Sequence, residues 1–168
     1  DIVFAPKESE LYPQAQTFKV HPPTELADIL EGHFRPGFFI GVCTVVMKLL
    51  AVTQARTALF GKKDYQQQLV IKRMVQQYAM PITVIAGETQ RAADGLALSS
   101  RNGYLSEKER QEAMQLSLAL RNLAREALAA AEGMPQPLPE LEARAMHALA
   151  TQGWQPDYLT GRRRADLQ

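Results

Sequence analysis

The stretch from Thr57 to Ala86 constrains the fold more than any other part of the chain. Thr57-Ala58-Leu59-Phe60 is a short apolar run closed by Gly61, which reads as a strand. Tyr65 to Tyr78 then places Val70, Ile71, Met74, Val75 and Tyr78 on one helical face, and Pro81 stops the helix. Ile82-Thr83-Val84-Ile85-Ala86 follows as a second buried strand. A strand, a helix and another strand in this order form a parallel pair with a crossover helix, so the fold class is α/β.

The pattern extends towards the N-terminus. Asp1-Ile2-Val3-Phe4-Ala5-Pro6 predicts a buried strand with no room before it for a partner, and sequence is expected to be missing upstream. A further strand is expected over Thr17 to Val20, ended by Pro22-Pro23, and a helix begins after Pro23. Gly37 to Thr53 carries a stripe of Val42, Val45, Val46, Leu49 and Leu50, as a crossover helix would. After Gly95 the character changes. Ser106-Glu107-Lys108-Glu109 is a capping box that opens a long helix with Ala113, Leu116, Leu120, Leu123 and Ala127 on one side. Gly133 and Pro135 end it, Pro135 to Pro139 reads as a turn, and Leu141, Ala145 and Leu149 mark another helix stopped by Gly153. Pro156 to Leu159 reads as a strand. Two domains are expected, an α/β part over residues 1–89 and a small α+β domain over 90–168.

Composition narrows the partners. Hydrophobic residues make up 46% of the 168 positions, enough for a packed core, and 19 Lys and Arg against 18 Asp and Glu leave a formal charge of +1. No field of one sign is available to recruit nucleic acid or a membrane surface, so an anionic ligand must be held by a local site. The single cysteine, Cys43, sits in an apolar run and is expected to be a buried, inert thiol. The longest apolar stretch is too short to span a bilayer, and a cytoplasmic address is expected. His21, His33 and His147 are too far apart for zinc spacing, so no metal site is expected.

In an open α/β sheet, ligands bind beyond the carboxyl ends of the strands, which points to the turns after Phe60 and Ala86. In the first, Gly61 lets a ligand approach the backbone, free amides at a helix start attract anions, and Lys63 supplies a point charge for a phosphate. The alternative has Asp64 as N-cap with Gln67 as its capping-box partner and both Lys62 and Lys63 solvated. The second turn, Asp94 to Asn102, offers hydroxyl donors at Ser99 and Ser100 and a bidentate contact from Arg101. It also reads as a solvated loop, as Arg162-Arg163-Arg164 reads as a solvated strand end.

Taken together, Arg35-Pro36-Gly37, Gly41 to Leu49, Phe60-Gly61-Lys62-Lys63-Asp64-Tyr65-Gln66-Gln67 and Asp94 to Ser106 resemble the pantothenate synthetase family, over nearly the whole chain. The resemblance implies a Rossmann-like nucleotidyltransferase sheet, incomplete at its N-terminus, with a small α+β C-terminal domain. It implies a ligase that joins pantoate to β-alanine through a pantoyl-adenylate, with ATP and Mg²⁺, as a homodimer. Carried over residue by residue, Gly61, Lys62, Lys63 and Asp64 would form one wall of the ATP site, and Lys63 would stabilise charge at the α-phosphate. Gln67 would bind pantoate, Leu98, Ser99, Ser100 and Arg101 would hold the phosphates, and Gln90 would lie at the adenine. The family's histidine-containing signature would lie before Asp1, so this piece is expected to be a poor catalyst alone. Phe38 and Ile40 stand where many members have histidine and arginine, and Lys62 replaces a commoner glutamate. The competing readings are a non-catalytic interaction or dimerisation module and another adenylate-forming transferase of the same fold.

Overall fold

The computed structural model describes residues 2–132 and 137–168. Its backbone contacts divide into two compact units, one built from residues up to Ala58 together with Leu69–Thr83, the other from Leu59–Gln68 and Val84–Gln168.

The first unit is organised around helix α4 (Phe38–Thr53), preceded by three single-turn helices, α1 (Glu8–Leu11), α2 (Thr24–Ala27) and α3 (Glu31–Phe34). Gly37, at φ +79°, supplies the left-handed residue that starts α4, and Gln54, at φ +50°, ends it. The fully buried positions of α4 are Phe39, Cys43 and Leu50, while the predicted stripe of Val42, Val45, Val46 and Leu49 is half-buried beside them. Burial pushes the Cys43 thiol up to about 11, so it is inert as expected. Leu26 and Ala27 of α2 are also buried. Gly32 of α3 lies so close to α2 that a Cβ built on it would fall 1.6 Å from the carbonyl oxygen of Ala27.

Two predicted strands do not form here. Residues 2–5 carry no strand pairing, and Ile2 and Val3 are almost fully exposed. Residues 17–20 run extended but unpaired, with Phe18 exposed. A strand exists only through hydrogen bonds to a neighbour, and what holds this segment is a side chain: the Val20 amide donates to Thr44 Oγ1 at 3.0 Å. Thr44 in turn donates to the Ile40 carbonyl at 2.7 Å. Further upstream, the Lys48 ammonium donates to the Leu11 carbonyl at 2.7 Å and lies 4.1 Å from the Tyr12 ring centre, fastening the end of α1 to α4.

The βαβ unit forms as expected. Strand β1 (Thr57–Gly61), helix α5 (Tyr65–Gln77) and strand β2 (Thr83–Gly87) follow in order, and β1 and β2 are neighbours in one parallel sheet. Val70, Ile71, Met74 and Val75 of α5 are buried, whereas Tyr78 lies just past the helix and is exposed.

The second unit has its own core. Helices α6 (Glu107–Glu132) and α7 (Leu138–Thr151) pack through Leu123, Leu141 and Leu149, with Leu159 from the C-terminal segment and Trp154 against them. The capping box is present: the Ser106 amide donates to Glu109 Oε2 at 2.8 Å, and the Glu109 amide to Ser106 Oγ at 3.3 Å. Leu116 and Leu120, assigned to the buried stripe of α6, are exposed instead, because only part of this helix meets α7. The expected helix end at Gly133 and Pro135 lies outside the described residues, and Pro139 sits in the first turn of α7 rather than in a loop. Gly153, at φ +86°, ends α7 as predicted. Residues 156–159 form no strand. The segment beyond them is pinned instead by Glu142 of α7, which accepts from Thr160 Oγ1 at 2.8 Å and from the Gly161 amide at 2.6 Å. Arg162, Arg163 and Arg164 are exposed in this irregular segment, with Arg163 paired to Asp166. No helix among the described residues is long and apolar enough to cross a membrane.

Candidate functional site

All the predicted site residues fall in the second unit, on the two loops that leave β1 and β2 at their carboxyl ends, except Gln67, which lies in the first turn of α5. After β1, Lys62–Asp64 makes one turn of 3-10 helix that runs directly into α5. Asp64 therefore lies inside a helical turn, and the expected N-cap at Asp64 with Gln67 as box partner does not form. Gly61 has φ −72° and ψ 140°, which any residue adopts, and no heavy atom lies within 4 Å of where its Cβ would sit. Nothing in the chain itself requires glycine there, and its backbone stands open to the surroundings.

Side chains around this turn are sorted by burial. Gln66 and Gln68 are buried, Gln67 is half-buried, and Lys63 and Asp64 are exposed. Among the described residues no buried side-chain nitrogen or oxygen lacks a hydrogen-bond partner. The Tyr65 hydroxyl donates to the carbonyl of Arg164 at 2.9 Å, so the turn is tied to the arginine run near the end of the chain.

The loop after β2 is a short irregular hairpin. The Leu98 amide donates to the Gln90 carbonyl at 2.9 Å, Arg91 and Ala97 form an antiparallel bridge, and the Ala92 amide donates to the Leu96 carbonyl at 2.9 Å. Two predicted site residues, Gln90 and Leu98, thus face each other across the hairpin. Its tip is Asp94-Gly95, with Gly95 at φ +87° and Asp94 Oδ1 accepting from the Leu96 amide at 3.0 Å. The other oxygen of Asp94 takes the Arg110 guanidinium, Nε to Oδ2 at 2.8 Å, which fixes the hairpin to α6. Beyond Leu98, Ser99 Oγ accepts from the Arg101 amide at 3.2 Å and caps the 3-10 turn Ser100–Tyr104, while Asn102 Nδ2 donates to the Ala97 carbonyl at 2.9 Å. Ser100 and Arg101 are exposed on that turn.

The Leu96 amide, and after it the Arg110 guanidinium, hold the Asp94 carboxyl below the usual aspartate range. A lowered value means that the charged carboxylate steadies the loop above the ordinary aspartate range of about 4, and that this is lost as pH falls through the lowered value. Asp94→Ala is therefore expected to speed amide exchange at Leu96 and Leu98 several-fold at neutral pH. In the unsubstituted chain the same protection should outlast acidification to about pH 4. Equal exchange in both proteins would remove Asp94 from this role.

Sequence reasoning placed Asp94 in the second turn without its clamping role, and it named neither Arg110 nor Glu88. The Asp94-Gly95 dipeptide is a turn signal that could have located the hairpin tip. Arg110 and Glu88 carried no such signal, because their partners, Asp94 and Lys62, lie 16 and 26 positions away. Lys62 and Glu88 form an ion pair between the residues that directly follow β1 and β2. Among the described residues no group of His, Cys, Asp and Glu side chains could hold a metal ion by itself.

A profile of the family described as pantoate-beta-alanine ligase matches residues 1–168. The chain is 64% identical over 167 residues to the pantothenate synthetase of Leptothrix cholodnii, covering 99% of this chain and 57% of that protein. It is 63% identical over 175 residues to the pantothenate synthetase of Paracidovorax citrulli, covering 100% and 60%. Among solved structures, a pantothenate synthetase from Thermus thermophilus superposes with a TM-score of 0.87 at 38% identity, covering all of this chain and 59% of that one. A pantoate-beta-alanine ligase from Francisella tularensis, complexed with beta-gamma ATP and beta-alanine, superposes at 0.59 with 34% identity, covering 83% and 50%. The chain thus spans less than two thirds of the length of the relatives it matches.

Proposed function

Because this chain belongs to the pantoate–β-alanine ligase family, we propose that it carries the ATP-phosphate and pantoate contacts of an enzyme that condenses pantoate with β-alanine. In this reading a pantoate carboxylate oxygen attacks the α-phosphorus of ATP, the bond to the β-phosphate breaks, and pyrophosphate leaves. The β-alanine amine then attacks the acyl carbon of pantoyl-adenylate, loses a proton, and expels AMP as the amide of pantothenate forms. Positioning and a good leaving group carry the second step.

The observation that supports this best is the placement of the two loops at the carboxyl ends of neighbouring strands, where open α/β sheets bind their ligands. Gly61, Lys62, Lys63 and Asp64 would form one wall of the nucleotide site, with Lys63 placed to stabilise charge that develops on the α-phosphate. Gln67, in the first turn of α5, would hold pantoate. Leu98, Ser99, Ser100 and Arg101 would close over the phosphates: Ser99 Oγ already accepts from Arg101, which leaves its hydroxyl proton to donate. The main chain of Gln90 would meet adenine. Mg²⁺ would enter this site as MgATP, held mainly by the phosphates and water. Assignment of residues 1–89 to the nucleotide-binding domain and 90–168 to the C-terminal domain belongs to the same proposal, as do assembly as a homodimer and a cytoplasmic address.

Calorimetric titration of the chain with MgATP and then pantoate, with amide chemical shifts followed in parallel, tests the proposal. Shifts concentrated in Gly61–Asp64 and Leu98–Arg101 are expected. The proposal fails if neither ligand binds, or if the shifts map to the first unit alone.

A further inference from the structure

We propose that Glu88 is a positioning residue of the candidate site. It holds the Lys62 ammonium at the end of β2, so that Lys63 is the one cation of the Gly61 turn left to meet an anion. This rests on the reading of that turn as a phosphate site.

The argument starts from the sheet. β1 ends at Gly61 and β2 at Gly87, the strands are neighbours, and the next residue of each carries opposite charge. Lys62 and Glu88 therefore meet across the strand ends as an ion pair. The Lys62 side chain is 31% exposed and that of Glu88 74%. An exposed pair of this kind contributes little to global stability, so its consequence is local. It decides where one lysine points.

Lys62 and Lys63 are consecutive in a single 3-10 turn, where three residues complete a revolution and neighbours leave the axis about 120° apart. Anchoring Lys62 towards β2 therefore fixes the rotation of the turn and sends Lys63 elsewhere. Lys63 is exposed and forms no ion pair among the described residues. The pair also sets the local charge. With Glu88 present, Lys62 and Lys63 are balanced by Asp64 of the same turn and by Glu88, so no net charge surrounds the open Gly61 backbone and Lys63 is the cation left without an ion-pair partner among the described residues. Without Glu88 the net charge rises to one positive, and both lysines are free to chase any phosphate oxygen. A lone fixed cation suits one defined position on a polyphosphate; two mobile ones favour binding in several registers.

Glu88→Gln keeps the size of the side chain and removes its charge. The first measurement, without nucleotide, is amide exchange at Lys62–Asp64. The variant is expected to speed it several-fold, and the exchanged pair Lys62→Glu with Glu88→Lys to bring it back. Unchanged exchange in Glu88→Gln overturns the proposal, as does failure of the exchanged pair to restore it while the circular dichroism spectrum stays that of the folded chain. The second measurement is MgATP affinity between low and high KCl. Glu88→Gln is expected to bind MgATP several-fold more tightly at low salt, with a steeper fall as salt rises, because a second cation has been released. Equal affinity and equal salt dependence overturn the charge-setting role. If the unsubstituted chain binds no MgATP at all, the ligase reading falls, and the exchange result alone decides whether Glu88 positions the turn.

Discussion

Lys63→Ala is expected to remove most of the affinity of this chain for MgATP. A charge-assisted hydrogen bond to a phosphate contributes about 1.5–3 kcal/mol, so its loss corresponds to a drop in affinity of roughly ten- to a hundredfold or more. The substitution should leave folding untouched, since Lys63 is exposed, lies in a 3-10 turn and makes no ion pair among the described residues. Calorimetry on both proteins at one salt concentration gives the comparison, and thermal unfolding checks the fold. Equal binding heats would mean that the turn is a scaffold and that the phosphate contact lies on other residues.

The second large effect concerns stability. Gly32→Ala would place a methyl carbon 1.6 Å from the carbonyl oxygen of Ala27, and the ring of Phe39 is 3.3 Å away on another side. The ring is a buried side chain with little room to yield, and the carbonyl belongs to the backbone at the end of α2. The α2–α3 connection, which already contains Leu30 at φ +49°, would have to move. Overpacking in a core costs about 1–3 kcal/mol, and a collision with backbone belongs at or above the upper end, against a typical total stability of roughly 5–15 kcal/mol. Gly41→Ala is the matched control. Gly41 is exposed within α4 and a Cβ there meets nothing within 4 Å, so the same change should stabilise by about 1 kcal/mol. Denaturant midpoints for the two variants should therefore move in opposite directions. A shared direction would contradict the packing of α3 on α2.

The elements that were legible in the sequence are those whose limits are set locally. Gly61 and Pro81 bracket α5, Ser106 and Glu109 open α6 through mutual hydrogen bonds, and Gly153 ends α7. Each needs only residues a few positions apart. Strands were legible only when their partner lay one crossover away, as for β1 and β2. Residues 2–5, 17–20 and 156–159 have strand-like composition, yet they form none among the described residues, because pairing depends on a neighbour that composition does not specify. The candidate site divides in the same way. Gly61, Lys63 and the Ser99–Arg101 run were visible as loop chemistry, whereas the ion pair to Glu88 and the clamp of Arg110 on Asp94 join positions with no sequence relation. The exposure of Leu116 and Leu120 was hidden for a similar reason: periodicity gives a face, and how much of that face α7 covers is a matter of tertiary packing.

The hydrogen bond from Tyr65 to the carbonyl of Arg164 joins residues 99 positions apart, and it has a consequence for the order of assembly during synthesis. Lys62 and Glu88 are only 26 positions apart, so the two loops can meet soon after β2 has emerged. At about 5–20 residues per second, Arg164 follows Tyr65 by roughly 5–20 s. Both loops are complete once Asn102 has been made, so for roughly the last 3–12 s of that interval the nascent chain holds both loops before the partner of the tyrosine hydroxyl exists. Closure of the turn onto the C-terminal segment is then a late event, set by the pace of the ribosome rather than by the far faster closing of hairpins and helices.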